Sequence, residues 1–169
     1  ECAPDVPEPE NAAKKMALSL VGHTPIIYGS HLATAPAAVR WKQQFVENVK
    51  IFAANETFPD FTHNQILSLD NGRDPSVKYA PIFLRDQSEP VALQKRMDVV
   101  EELLTSTGNN VMSLSAVGES LLCRLMYLNL FSDFVSYYLA ILKKVDPTPT
   151  PMMSLLKNNL GLKDLSPGQ

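Results

Sequence analysis

The sequence has only seven glycines, spread so widely that neither G-x-G-x-x-G nor G-x-x-x-x-G-K-[ST] occurs. A dinucleotide fingerprint and a P-loop are thereby excluded, because both need closely spaced glycines to bring backbone amides onto a phosphate. No G-x-S-x-G turn presents a nucleophilic serine. Only three histidines are present, His23, His31 and His63, and none stands at metal-ligand spacing from another or from a cysteine. No metal site and no cofactor are expected. Cys2 and Cys123 are too few for a disulfide framework and read as two free thiols in a reducing compartment. The start of the chain lacks the apolar stretch of a signal peptide, and a cytoplasmic location is expected. Positive charge is short as well: 15 Lys and Arg against 18 Asp and Glu leave a net charge of −3. Nucleic acid and anionic membrane surfaces are therefore not expected partners.

What is present is an ordinary globular composition, 45% hydrophobic and 20% charged over 169 residues. That length suffices for one domain with its own core. The 13 prolines are uneven, with Pro4, Pro7 and Pro9 near one end and Pro147, Pro149 and Pro151 near the other. Proline does not propagate a helix, so residues 1–9 read as an extended acidic lead-in.

Asn11 can cap a helix running to about Val21. Thr24 to Gly29 is a nearly continuous apolar burst, suited to a strand covered on both faces. Pro36 opens a helix that runs to about Val49. Ala38, Trp41, Phe45 and Val49 mark its inward face, and Arg40, Gln43, Gln44 and Glu47 share another. Lys50 to Ala54 reads as a second strand, Pro59 opens a helix carrying His63, and 71–75 is a loop by composition. A third strand is expected over Tyr79 to Leu84, a helix capped by Ser88 over 89–106, and a fourth strand over 111–117. Strands alternating with helices predict a three-layer α/β/α sandwich around a mainly parallel, flavodoxin-like sheet. Ligands in such sheets gather outside the carboxyl ends of the strands, where Ser30 to Ala35 and Arg85 to Ser88 fall.

Residues 119–144 form the most apolar helix and are long enough to cross a bilayer. Asn129, Ser132, Asp133, Ser136 and Lys143 nevertheless recur at three- to four-residue intervals as a polar stripe. A charge at the centre of a lipid-facing helix costs about 2.5–3.5 kcal/mol. The segment therefore reads as a buried helix of a globular protein or an oligomer interface, not a membrane span.

Chemistry is left to a small constellation: Glu47, His63 and the C-terminal lysines. A carboxylate near a helix C-terminus meets the negative end of the dipole, a setting that suits a general base. The surrounding residues carry a resemblance. Asn11-Ala-Ala-Lys14, Pro25-Ile-Ile-Tyr-Gly-Ser30, Arg40-Trp-Lys-Gln-Gln-Phe-Val-Glu-Asn-Val-Lys50 and His63-Asn64-x-Ile66 occur in that order. Gly118-Glu-Ser120, Asp133-Phe-Val-Ser136, Asp146-Pro-Thr-Pro149 and Leu156-Lys157 follow. Together they resemble the second sugar-isomerase (SIS) domain of the bacterial and archaeal phosphoglucose/phosphomannose isomerases, over about residues 11–161.

The resemblance implies an aldose–ketose isomerase domain. It would interconvert glucose 6-phosphate, and on some members mannose 6-phosphate, with fructose 6-phosphate through a cis-enediol. Glu47 is the implied base between C1 and C2, His63 the ring-opening group, and Lys157 a second group at the ring oxygen. Ser30, Arg40 and Thr150 are the expected substrate-binding residues. The implied assembly is a homodimer whose active site is shared, with the histidine supplied by the neighbouring subunit. Two positions depart from the family pattern: Gln65 stands where a Glu usually follows His-Asn, and His31-Leu-Ala replaces a more Gly-rich loop. The family's phosphate loop and its enediolate-stabilising arginine lie in a first SIS domain, with no equivalent here. Residues 1–10 are accordingly expected to be a linker from a missing N-terminal SIS domain, 11–162 the SIS domain and 163–169 a tail. The isolated chain is expected to have little or no activity. The alternative is a non-catalytic, sugar-phosphate-binding or regulatory SIS domain.

Overall fold

A computed structural model of the chain describes residues 2–69 and 76–161. The Asn11 side chain accepts from the Lys14 amide at 3.0 Å and caps α1 (Ala12–Ser19), as its residue type favours. There follow β1 (Thr24–Ser30), α2 (Ala35–Gln44), a π-helical turn (Phe45–Val49) and β2 (Ala54–Phe58). Two 3-10 segments (Asp60–His63, Gln65–Leu69) lead towards β3 (Tyr79–Arg85), α3 (Val91–Ser106) and β4 (Met112–Ser115). The chain continues in α4 (Leu121–Leu142) and α5 (Pro151–Asn159). The strands are all parallel and lie in the order β2-β1-β3-β4.

Alternation along the strands sorts the core into two halves. Ile27 of β1 and Ala80, Ile82 and Leu84 of β3 pack towards α1, α2 and α4. Ile26, Tyr28 and Phe83 point to the opposite face, where Met97, Val100 and Leu104 of α3 and Phe61 and Leu69 of the 3-10 segments cover them. The expected α/β/α layering is therefore present. On the second face Tyr28 lies 4.2 Å from Phe61 and 5.2 Å from Phe83 between ring centroids. Burial, helped by the nearby Glu56 charge, pushes its phenol far above the usual range. It stays protonated and donates to Gln65 Oε1 at 3.2 Å. On the first face Trp41 is fully buried, stacks on Phe131 and donates from Nε1 to the Leu128 carbonyl at 2.9 Å.

Several boundaries differ from expectation for identifiable reasons. The second strand is Ala54–Phe58, not Lys50–Ala54, because Lys50 sits in the left-handed region (φ 59°) and ends the preceding turn. Pairing starts only where Ala54 meets Ile26. β2 is an edge strand and half-buried, which explains its polar Asn55, Glu56 and Thr57. The expected helix to Val49 becomes π-helical after Gln44, and this keeps both Phe45 and Val49 buried. His63 lies on a 3-10 segment, not in an α-helix. Ser88 does not cap α3; its amide and hydroxyl donate to Asp86 Oδ1, and α3 starts after Pro90. Residues 71–75, read as a loop, and 163–169, read as a tail, lie outside the described residues.

The Pro-rich lead-in is held against the domain. Tyr138 donates to the Cys2 carbonyl at 2.5 Å and Asn11 Nδ2 to the Ala3 carbonyl at 3.0 Å. The Lys14 ammonium reaches the Pro4 and Val6 carbonyls at 2.7 Å each and lies over the Tyr138 ring. α4 meets the length and hydropathy of a membrane span, but 44% of its most apolar window is buried in the domain. Its polar stripe is turned partly inward: Ser132 and Ser136 are fully buried, Asp133 is half-exposed and Lys143 is exposed.

Gly29 shows how tightly α2 is fed from β1. A Cβ there would stand 2.7 Å from the Thr34 carbonyl oxygen and 2.8 Å from the Ala35 nitrogen and Cα. These are backbone atoms and cannot rotate aside. Gly29→Ala is expected to destabilise the domain by about 1–3 kcal/mol. The check is thermal unfolding, where a fall of roughly 2–4 °C per kcal/mol is anticipated; an unchanged midpoint would contradict the close approach.

Candidate active site

The turn that carries Glu47 is fixed by α4. Gln44 Nε2 donates to Asp133 Oδ1. Asn48 Nδ2 donates to Ser136 Oγ at 2.9 Å and to Gln44 Oε1 at 3.3 Å. Arg40 Nη2 stands 3.8 Å from Asp133 Oδ1. Burial pushes the Asp133 carboxyl up, with Arg40 acting against it. The polar stripe of α4 thus meets the polar face of α2, and the π turn between them is one of the rare helical irregularities that concentrate at functional sites.

Beyond that turn, Glu47 lines a cleft of about 630 Å³ with Lys50, Asp146, Thr150 and the apolar Ile51, Pro149 and Met152. Lys50 Nζ donates to the Glu47 carbonyl at 2.6 Å and to the Pro147 carbonyl at 3.2 Å. The Thr148 amide donates to Asp146 Oδ1 at 2.9 Å. That bond, then the Thr148 hydroxyl and the Lys50 charge, hold the Asp146 carboxyl below its ordinary value. Thr150 stands at the N-cap of α5. Lys157, seven residues on, lies two turns and about 10 Å further along the same helix face. It is exposed, as is all of α5.

His63 is not brought to this cleft. Glu47 precedes Ala54, which pairs with Ile26 near the start of β1, whereas His63 follows Phe58, which pairs with Ser30 at its end. The two residues occupy opposite ends of the sheet, separated by the length of β2, about 13 Å at 3.3 Å per residue. His63 is exposed there. Gln65, in place of the expected Glu, supplies an uncharged acceptor for Tyr28. The His31 loop is tied to the same region by Nε2···Asp60 Oδ2 at 2.7 Å.

At the carboxyl ends of β1 and β3 lies a group of buried polar side chains. Ser30 is fully buried. Its amide donates to Thr34 Oγ1 at 2.9 Å, its Oγ accepts from the Ala33 amide at 3.2 Å, and Thr34 Oγ1 donates to the Leu84 carbonyl at 3.0 Å. Arg124 Nε pairs with Asp86 Oδ2 at 2.6 Å, both nearly inaccessible. Burial pushes the neighbouring Glu89 carboxyl up against the opposing pull of the Ser30 hydroxyl. Neither Ser30 nor Arg40 lines the cleft of Glu47. Gln44 and Ser136 were legible only as members of a polar helix face and a polar stripe, and Lys50 and Asn48 only by their place inside the quoted motifs.

Residues 9–160 match the family described as bacterial phospho-glucose isomerase C-terminal SIS domain. The chain is 35% identical over 162 residues to the bifunctional phosphoglucose/phosphomannose isomerase of Caldicellulosiruptor bescii, covering 95% of this chain and 48% of that one. It is 36% identical over 138 residues to the enzyme of the same name from Thermoplasma volcanium, covering 82% and 43%. It therefore spans about half the length of these relatives. Among solved structures, a glucose-6-phosphate isomerase like protein from Thermus thermophilus superposes with a TM-score of 0.73 at 24% identity, over 93% of this chain and 50% of that one. The C-terminal domain of a glucosamine-fructose-6-phosphate aminotransferase from Francisella tularensis gives 0.63 at 14% identity, over 79% and 40%. At these identities the two structures establish the shared fold.

The buried Asp86–Arg124 pair has a pH signature. For Asp86, burial acts to raise the pKa, but the bonds from Arg124 and Ser88 outweigh it and hold the carboxyl below its ordinary value of 3.8. A carboxyl lowered on folding adds stability above the unfolded value and loses it as pH falls through the folded one. Asp86→Asn leaves Arg124 buried without its charge partner, a loss of about 3–5 kcal/mol. The gap in unfolding midpoint between wild type and variant is expected to be widest near neutrality and to narrow below about pH 4. A gap that widens on acidification would refute the assignment.

Proposed function

Because the chain belongs to the family of bacterial phosphoglucose isomerase C-terminal SIS domains, we propose that it supplies the general base of an aldose–ketose isomerisation of hexose 6-phosphates. The observation that carries this reading is that Glu47 and Thr150 line one cleft, with Lys157 further along the same face of α5. In the aldose-to-ketose direction the Glu47 carboxylate takes the proton from C2. The electron pair forms the C1–C2 double bond and the negative charge moves onto O1, giving an enediolate; a proton then passes from the C2 hydroxyl to O1. The same carboxyl returns its proton to C1 as O2 becomes the carbonyl. One carboxylate serves both transfers because the two carbons are adjacent.

Ring opening needs a proton donor and acceptor at the ring oxygen, a task that His63 and Lys157 suit near neutral pH. The placement of Glu47 and His63 at opposite ends of the sheet supports a site completed by the histidine of a second copy. Thr150 contacts the sugar at the cleft. Ser30 and Arg40 serve in this reading as scaffold, Ser30 in the buried loop and Arg40 beside Asp133. The phosphate loop and the donor that stabilises the enediolate come from outside this domain, and glucose and mannose 6-phosphates are both accepted as aldoses.

Glu47→Gln in the full-length protein is expected to lower turnover of fructose 6-phosphate by about 10²–10⁴-fold, with an unchanged circular dichroism spectrum. Sugar-phosphate binding that persists in a wild-type protein without turnover would instead establish the non-catalytic alternative. A coupled assay on the isolated chain is expected to show little or no isomerisation; robust turnover by it would remove the need for the second domain.

A further inference from the structure

Lys50 has the features of a part with a defined job. It ends the π turn in a left-handed conformation (φ 59°, ψ 36°), which costs a non-glycine residue energy. The strain places its side chain back across the turn. From there one ammonium bonds two backbone carbonyls, Glu47 at 2.6 Å and Pro147 at 3.2 Å, the latter 97 residues away in the chain. It is exposed, and its nearby acidic partner, Asp146, is already engaged by Thr148.

What the bridge joins is informative. On one side is the backbone of the proposed base. On the other is the turn that leads into Thr150 and α5. No residue of α5 is buried, so the core does not fix where that helix starts. The spacing across the cleft between Glu47 and Thr150, and along α5 to Lys157, is therefore set by the Pro147 turn and by what holds that turn. We propose that Lys50 is a positioning residue for the isomerisation: its ammonium fixes the gap between the π turn and the α5 entrance, so that Glu47 meets the C1–C2 bond of a sugar held from the other wall. This rests on the reading of Glu47 as the base. Lys50 itself touches neither the reacting carbons nor the phosphate.

A solvent-exposed bridge of this kind adds little to global stability, so a geometric role can be separated from a structural one. In the full-length protein, Lys50→Met is expected to lower kcat for fructose 6-phosphate on the order of 10- to 100-fold, with KM changed by less than about 3-fold. The unfolding midpoint should stay at the wild-type value. Lys50→Arg, which keeps a cation able to reach both carbonyls, should recover most of the lost kcat. If Lys50→Met does not fold, Lys50→Gln, which keeps a shorter donor, replaces it with the same expectation. Wild-type kcat in Lys50→Met, alongside an inactive Glu47→Gln, would overturn the positioning role and leave the base intact. A Lys50→Arg variant as slow as Lys50→Met would overturn it equally. Full turnover in Glu47→Gln would overturn the reading of the base, and this proposal with it.

Discussion

The indole nitrogen of Trp41 donates to the Leu128 carbonyl of α4, and the geometry of the cleft follows from that seam. Trp41 is fully buried against Phe45 and Phe131, which sets how α2 lies along α4. One turn further, the contact changes from aromatic to polar: Gln44 meets Asp133 and Asn48 meets Ser136. Buried polar groups at such a seam are costly if unpaired, so the register of the two helices is strongly specified. The widened turn at Phe45–Val49 falls where these side-chain bonds form, and it is this turn that presents Glu47. Packing and site are thus one construction: loosening the seam would move the carboxylate.

A doubly wound sheet offers a crevice at the carboxyl ends of its strands, on the side where strand order reverses. Here that place lies between β1 and β3, and it holds the chain's own groups. A buried Arg124–Asp86 pair, the buried Glu89 and the fully enclosed Ser30 lie there. The cleft that carries Glu47 lies at the opposite end, where α2 terminates and β2 begins. His63 alone of the proposed catalytic set stays at the carboxyl end. Glu47 and His63 are thus divided between the two ends of the sheet.

The alternation of helices and strands was legible because β1 and β3 are covered on both faces and read as apolar runs. β2 was misplaced by four residues because it is a half-buried edge strand whose Asn55, Glu56 and Thr57 have no strand signature. The π turn was invisible, since Phe45 and Val49 keep a spacing that an α-helix would also bury. Glu47 and Lys157 were named by motif and Thr150 by its place seven residues before Lys157, yet spacing along the chain could not show that Ser30 is enclosed or that His63 stands at the far end of the sheet. Those facts depend on tertiary pairing: Ser30 with Phe58, and Ser30 with the groups beside Asp86. The polar stripe on α4 was legible as a stripe, but its partners, Gln44 and Asn48, are 88 or 89 residues away in sequence.

The prolines at the two ends act in opposite ways. At the start, the lead-in expected to be extended instead bends through a turn at Ala3–Val6 and a 3-10 turn at Glu8–Glu10, and its carbonyls are taken up by Lys14, Asn11 and Tyr138. That segment becomes a strap over α1 and α4. At the other end, Pro147, Pro149 and Pro151 stiffen the approach to a nine-residue helix with no buried residue. Nine residues are too few for a helix to persist on its own in water. Met152, Met153, Leu155 and Leu156 nevertheless stay exposed in this chain. Stiffness in the preceding turn, with the Pro147 carbonyl held by Lys50, therefore governs where α5 points. Proline limits backbone freedom before the helix starts, and one lysine ties that turn to the backbone of Glu47. Thr150 and Lys157 inherit their positions from that short stretch more than from the hydrophobic core.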